Sequence, residues 1–140
     1  FVFGSGSDET RQVAIGDMDG DGYPDIIAAN IGEKNKIFYN DGRGQFKKSA
    51  SFGSSTDKTM SIALGDLDND GDLDIVTGNN GSKNHFYINN GSRFKLNHFS
   101  ENDKITYGIT LEDLNNDGTL DVIESNSGDI NKIFFNKAQE

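Results

Sequence analysis

The residues best suited to chemistry lie in three acidic segments, 17–25, 66–74 and 113–121, which share the spacing D-x-[DN]-x-D-G-x-x-D. A hard cation such as Ca²⁺ takes roughly six to eight oxygen ligands at about 2.3–2.6 Å. Because alternate residues of a tight loop point inward, positions one, three and five supply side-chain oxygens. Position seven then offers a backbone carbonyl, and the aspartate at position nine completes the cage. Each segment therefore predicts one calcium site.

The predicted ligands occupy the same five positions in each segment. They are Asp17, Asp19, Asp21, Tyr23 and Asp25, then Asp66, Asp68, Asp70, Asp72 and Asp74, then Asp113, Asn115, Asp117, Thr119 and Asp121. Glycine at position six permits the sharp turn. The prediction is three Ca²⁺ per chain, with the third site weaker because Asn115 is neutral. Mg²⁺ is disfavoured, since so dense a protein cage leaves little room for the waters that it retains.

These segments have two other interpretations. One is a set of Asp/Asn/Gly turns without metal, which fits a single copy better than three copies in register. The other is an EF-hand, whose loop needs an acid at position twelve and helices on both sides. Position twelve is Ala28, Thr77 and Glu124 here, so two of the three copies lack the acid.

The three segments belong to a longer repeat. A shift of 49 residues lays 13–17 on 62–66, and a further shift of 47 reaches 109–113. Asparagines and glycines downstream recur in the same register. Such a period is typical of repeat architectures, and the short apolar runs between Gly, Asn and Asp clusters are typical of strands.

Each unit predicts four short strands. The predicted strands cover residues 12–16, 25–29, 36–39 and 45–52 in the first unit, and 107–111, 121–125 and 132–135 in the third. The predicted fold is all-β, a β-propeller built of four-stranded antiparallel blades at about 4–52, 53–99 and 100–140. A stacked β-solenoid is the alternative, although its coils are usually shorter.

Three blades are fewer than the four to eight that propellers use. The third unit lacks a fourth strand, whereas residues 1–3 align with 50–52, the end of a fourth strand. We therefore expect a homodimer that closes a six-bladed ring, each chain donating residues 1–3 to its partner's last blade. The alternative is a fragment of a longer propeller. The native start and any signal peptide are expected upstream of Phe1.

Composition excludes several function classes. The chain of 140 residues has a formal net charge of −10 and no Lys/Arg run, so its field repels nucleic acid and anionic bilayers. No apolar stretch approaches the length that spans a membrane. Without cysteine there are no disulfides, thiolate metal sites or cysteine nucleophiles.

The repeat resembles the FG-GAP/VCBS family, which forms the blades of integrin α-subunit propellers and of many bacterial secreted proteins. The likeness rests on the apolar-Gly-Asp lead-in at 13–17 and 62–66, the acidic loop, the Asn-x-Gly turn and the run at 40–46. It implies calcium sites on one propeller face, an extracellular or cell-surface location, and often adhesion or carbohydrate recognition. The third repeat departs at Glu112, which stands in place of glycine, and at Asn115.

The leading functional hypothesis is a non-catalytic, calcium-stabilised module that binds a glycan or a protein. Its expected recognition rim comprises the turns 31–34, 80–83 and 127–130 and the connections 5–9, 54–58 and 101–104. Alternatives are a purely structural scaffold and a polysaccharide-active enzyme. His85 and His98 are the available histidines and neither pairs with an obvious nucleophile, so no catalytic residue is predicted. Lysine stands at the equivalent position in the other two repeats, which predicts a surface position for His85.

Overall fold

The computed structural model describes residues 2–4, 6–91, 93–100 and 104–137. Over these residues the chain is all-β, with antiparallel pairing throughout. The strands are β1 (Thr10–Gly16), β2 (Asp25–Asn30), β3 (Asn35–Tyr39), β4 (Lys48–Phe52), β5 (Thr59–Gly65), β6 (Asp74–Ser82), β7 (His85–Asn89), β8 (Phe94–His98), β9 (Lys104–Glu112), β10 (Asp121–Ser127) and β11 (Lys132–Phe134). None of the described residues forms a helix that is long and apolar enough to cross a membrane.

The strands form three consecutive antiparallel units, which confirms the all-β propeller-blade architecture. Strands β1 to β4 make the first blade, in sequence order. Strands β5 to β8 make the second, and β9 to β11 make the part of the third that is described. A short pairing of β6 with β9 joins the second blade to the third, and a bridge between Ile31 and Lys58 occupies the equivalent place between the first two.

The fourth strand of the first blade begins later than predicted. Residues 40–47 form a loop in which the Asp41 N–H donates to the Gln45 carbonyl, and the Gln45 N–H donates to the Asp41 carboxylate. Gly42 and Gly44 both have positive φ, at 75° and 72°, a conformation that ends an extended strand. The strand therefore starts at Lys48, not at Gln45.

The hydrophobic core lies between the blades. One cluster, built around Ile27, Ile37 and Ile75, fills the space between the first and second blades. The other, built around Val76 and Val122, fills the space between the second and third. Because alternate residues of a strand point to opposite faces, the second blade buries apolar side chains on both sides. The loops at the strand ends are thereby held in equivalent positions on one rim.

Of the predicted donated strand, residues 2 and 3 are described and lie outside any strand, while residue 1 lies outside the described residues. Phe3 nevertheless packs on this chain's own first blade, with its ring centroid 5.4 Å from that of Phe38. Other predicted segments, at 101–103 and 138–140 and at residue 5, also lie outside the described residues.

Candidate metal centre

Each acidic loop joins the first two strands of its blade and is closed by its first aspartate. The Asp66 carboxylate accepts the N–H groups of Asp70 at 3.1 Å and Gly71 at 2.9 Å. Asp17 and Asp113 make the equivalent bonds in the first and third loops. One carboxylate thus curls the next five residues around itself, which is why the loop is tight enough to gather oxygens.

Left-handed backbone occurs at the same two places in every loop. Position six is glycine, with φ of 87°, 97° and 84°, as its spacing predicts. Position four is also left-handed, at Gly20, Asn69 and Asn116. Asparagine tolerates this conformation better than most residues. The requirement at position four was not anticipated from the sequence, although the Gly/Asn/Asn pattern there is the signal that could have revealed it.

The aspartate at position nine is buried and tied to the strands. Asp74 has no exposed surface, and its carboxylate accepts the Leu67 N–H at 2.7 Å and the Asn89 N–H at 2.7 Å. Asp25 and Asp121 are equally buried and bind the corresponding two N–H groups of their own blades. This carboxylate therefore ties the loop to the end of the third strand of its blade.

The first two loops bring three carboxylates together. One oxygen from each of Asp17, Asp19 and Asp21 lies within 4.8 Å of the others, and a second trio joins Asp66, Asp68 and Asp74. Three such groups at this spacing repel one another unless a cation or protons intervene.

The electrostatics of the loops reflect this crowding. Burial raises the pKa of Asp74 to about 6 and also raises the pKa of Asp25. The backbone N–H groups that donate to these two carboxylates each lower the pKa by less than burial raises it. The pKa of Asp68 is raised by lost hydration and by the charge of Asp70. A divalent cation would remove this cost, so the donor set fits Ca²⁺: clustered, hard oxygen donors that are held in place before any ion arrives.

A lysine already contacts the first loop. Lys48 Nζ lies 3.2 Å from Asp19 Oδ2 and 4.2 Å from the centre of the Tyr39 ring. Its side chain is mostly exposed, so the contact contributes little to stability.

The third loop is arranged differently. Within the described parts of the chain it contains no trio of carboxylates at the spacing seen in the first two. Asn115 Nδ2 donates to Asp117 at 2.9 Å, and the Thr119 hydroxyl donates to the same residue at 2.6 Å. These two bonds, with Thr119 first, lower the pKa of Asp117. The Asn115 amide and the Thr119 hydroxyl thus stabilise the negative charge of Asp117. In the first two loops a cation would have that role.

The backbone N–H of position seven stabilises the turn of each loop. The N–H groups of Tyr23, Asp72 and Thr119 each donate to the position-five carboxylate at 2.9 Å.

Position twelve lies outside the loops, on the second strand of each blade. Glu124 there is buried and accepts the Asn84 amide N–H at 2.5 Å. Strands on both sides and this placement of Glu124 exclude an EF-hand.

The surface position predicted for His85 is wrong. His85 is only 8% exposed, and its Nδ1 lies 3.2 Å from the Tyr87 hydroxyl. The centroid of its ring lies 4.8 Å from that of His98. Asp57 lies 3.8 Å away on the connection between the first two blades. The second blade therefore buries an imidazole where its neighbours carry lysines. Burial is the main cause that lowers the pKa of His85, and the charges of His98 and Lys83 add to it.

We expect His85 to make stability depend on pH. The unfolded chain takes up a proton near the ordinary pKa of 6.5, whereas folded His85 does so only at lower pH. The free energy of unfolding should therefore fall as pH drops through 6.5 towards the folded pKa. Urea denaturation across this range in excess calcium measures it. His85→Gln should flatten the dependence while His98→Gln, at an exposed position, keeps most of it; equal flattening by both would contradict this origin.

Comparison with known proteins agrees with this geometry. The family model described as an FG-GAP-like repeat matches the chain twice, over residues 17–77 and 66–124. Each match begins at the first aspartate of an acidic loop and extends through the next loop. A search of curated proteins finds no match. The two matches together cover well over half of the chain, and the chain therefore belongs to the FG-GAP-like repeat family.

Proposed function

We propose that this chain is a calcium-binding β-propeller module that presents a non-catalytic recognition surface outside the cell. The observation that carries the calcium assignment is the pair of carboxylate trios in equivalent loops, at 17–21 and 66–74. In both loops the aspartate at position nine is already oriented by two backbone N–H groups. Positions one, three, five and nine would hold the ion with carboxylates, and the carbonyl at position seven would add a neutral ligand.

Calorimetric titration of metal-free protein tests the calcium assignment. We expect CaCl₂ to bind with at least two sites per chain and MgCl₂ to bind much more weakly, since the dense carboxylate set leaves few positions for retained waters. The site count is read from the stoichiometry. Heat of dilution alone with CaCl₂, or equal binding of both ions, would contradict the proposal.

The third loop provides a separate prediction. Asn115→Asp adds a fourth carboxylate and removes the amide that now donates to Asp117. We expect it to lower the dissociation constant of this loop for calcium by about 10-fold, because affinity rises with the number of charged ligands. Site-resolved titration by NMR of the 113–121 amide signals measures the change. No change at this loop would mean that position three does not bind the ion.

The recognition surface is proposed on the rim opposite the acidic loops. Because the strands are antiparallel, the turn 31–34 and the connection 54–58 lie at the other end of each blade, and the Gly32 N–H donates to the Asp57 carbonyl there. A cavity of about 860 Å³ opens beside them between the first two blades, lined by residues that include Phe52, Tyr87 and Phe94. Aromatic walls with a few polar groups are typical of small-ligand sites.

Glycan-array binding in calcium tests this surface. Hits that disappear on Tyr87→Ala or Phe94→Ala would support recognition in this cavity, with calcium binding unaffected as the control. Turnover of a polysaccharide would favour the enzyme instead. The extracellular location is part of the proposal, because millimolar extracellular Ca²⁺ would fill even weak calcium sites.

A further inference from the structure

A lysine pairs with a carboxylate on the rim opposite the acidic loops in both the first and the third blade. In the first blade, Lys36 Nζ lies 2.8 Å from each of the two carboxylate oxygens of Asp8. In the third blade, Lys104 Nζ lies 2.6 Å from the Asp129 carboxylate. An ammonium group therefore neutralises a carboxylate at this end of both blades.

The second blade keeps the carboxylate of the first blade but replaces its lysine. Asp57 stands at the position of Asp8, and His85 stands at the position of Lys36. His85 Nδ1 lies 3.8 Å from Asp57 Oδ2, which is too long for a hydrogen bond. Burial lowers the pKa of His85, so at neutral pH its imidazole is mostly uncharged. His85 therefore does not replace the ammonium group of the lysine.

The Asp57 carboxylate is buried, and the donors that contact it are neutral. Asp57 is 6% exposed. The Ser54 N–H donates to Oδ2 at 3.2 Å, and the Ser82 hydroxyl donates to Oδ1 at 3.4 Å. Across the part of the chain that the structure describes, Asp57 forms no ion pair with a lysine or an arginine. A cation that reached this carboxylate would remove much of the cost of its burial.

A ligand can reach Asp57 through the cavity between the first two blades. Asp57 lines this cavity together with Phe52, Tyr87 and Phe94. The ring centroid of Phe52 lies 5.0 Å from that of Tyr87 and 6.3 Å from that of Phe94. Aromatic rings attract an ammonium group, and apolar walls suit the methylene stem of a lysine side chain. Arg93 also lines the cavity, but it is exposed and does not pair with Asp57.

We propose that this cavity binds a lysine side chain of a partner protein, whose ammonium group pairs with Asp57 as Lys36 pairs with Asp8. The inference rests on the proposed function, because it names the ligand of the same recognition cavity. The formal net charge of −10 attracts a basic partner. The partner's side chain takes the place that the repeat's own lysine takes in the first blade.

NMR titration of the calcium-loaded protein with a small lysine probe tests this site. The probe is Nα-acetyl-lysine methylamide, and its Nε-acetylated form keeps the stem but removes the charge. We expect a dissociation constant of about 1 mM for the charged probe, with shifts of the amide signals of residues 53–57 and 85–87. The acetylated form should bind roughly 10-fold more weakly or worse, because it loses a hydrogen bond to a charged group.

His85→Lys is the decisive variant, because its own ammonium group should pair with Asp57 and exclude the probe. We expect it to weaken binding of the charged probe by roughly 10-fold or more. His85→Gln is the matched control, since it changes the same position without adding charge, and it should retain binding. Ile133→Lys adds the same charge at a position of the third blade that is 51% exposed, and it should also retain binding. Circular dichroism checks the folding of each variant.

Each outcome decides the proposal. Equal binding of the two probes, no binding of either, or full binding by His85→Lys would overturn it. Tighter binding of glucosamine than of the charged lysine probe would also overturn it, because an amino sugar would then be the better ligand. Glycan-array hits that depend on Tyr87, without binding of the lysine probe, would reject the lysine site alone and leave the proposed recognition surface in place.

Discussion

Replacing Asp74 by alanine is expected to lower the free energy of unfolding by about 4 kcal/mol, even without calcium. The substitution leaves the Leu67 and Asn89 N–H groups buried without their acceptor, and each such loss costs about 1–3 kcal/mol. Asp74→Asn keeps one acceptor oxygen and removes a charge that burial holds at a cost, so it should destabilise the chain far less than Asp74→Ala. Urea denaturation in chelator measures both.

Asp72→Asn is the matched control for this experiment. It removes the same charge from the same loop, but the predicted role of Asp72 uses its carbonyl, so the change should stay within about 0.5 kcal/mol. In excess calcium the losses for Asp74 should grow, because the variant also loses a ligand. If Asp74→Ala and Asp72→Asn destabilise the chain equally, the buried carboxylate is not what holds the loop to the strands.

Sequence periodicity was sufficient to predict the fold class because its signals are local. The acidic loops, the turn glycines and the short apolar runs recur in register, and each specifies its own turn or strand. The late start of β4 was missed since it depends on the conformations of Gly42 and Gly44. The extension of β6 to Ser82 was equally hidden, because it comes from pairing with β9 of the next blade.

The sequence predicts which residues form the acidic loops, but not which strands and neighbouring residues hold the side chains in place. The spacing predicts Asp74 as a ligand. It does not predict that the N–H of Asn89, fifteen residues away, fixes the orientation of the Asp74 carboxylate. The burial of His85 could not be seen either. It depends on Asp57 and His98, which reach it from a neighbouring connection and strand. Asn89 and His98 lie on neighbouring strands of the same blade, and Asp57 lies on the connection between the first two blades. Which residues such pairings bring together depends on the strand register, which the spacing of the acidic loop does not give.

Removing calcium is expected to lower the free energy of unfolding by about 5 kcal/mol, if the two trios are each filled at about 100 times their dissociation constants. The physical reason is mass action: the folded chain gathers the carboxylates of each loop within 4.8 Å, and the unfolded chain does not. Urea denaturation in excess CaCl₂ and in chelator measures the difference. Equal curves in both conditions would contradict calcium binding by these loops.

Asp68→Asn distinguishes a ligand from a general charge effect, because its two consequences have opposite signs. In chelator it should stabilise the chain, since the pKa of Asp68 is raised and its charged form is held at a cost. In calcium it should raise the dissociation constant of the second loop by about 10-fold. Asp72→Asn removes the same charge and should weaken binding far less. If both variants weaken calcium binding equally, the loop attracts the ion only through its net charge, and position three does not bind it.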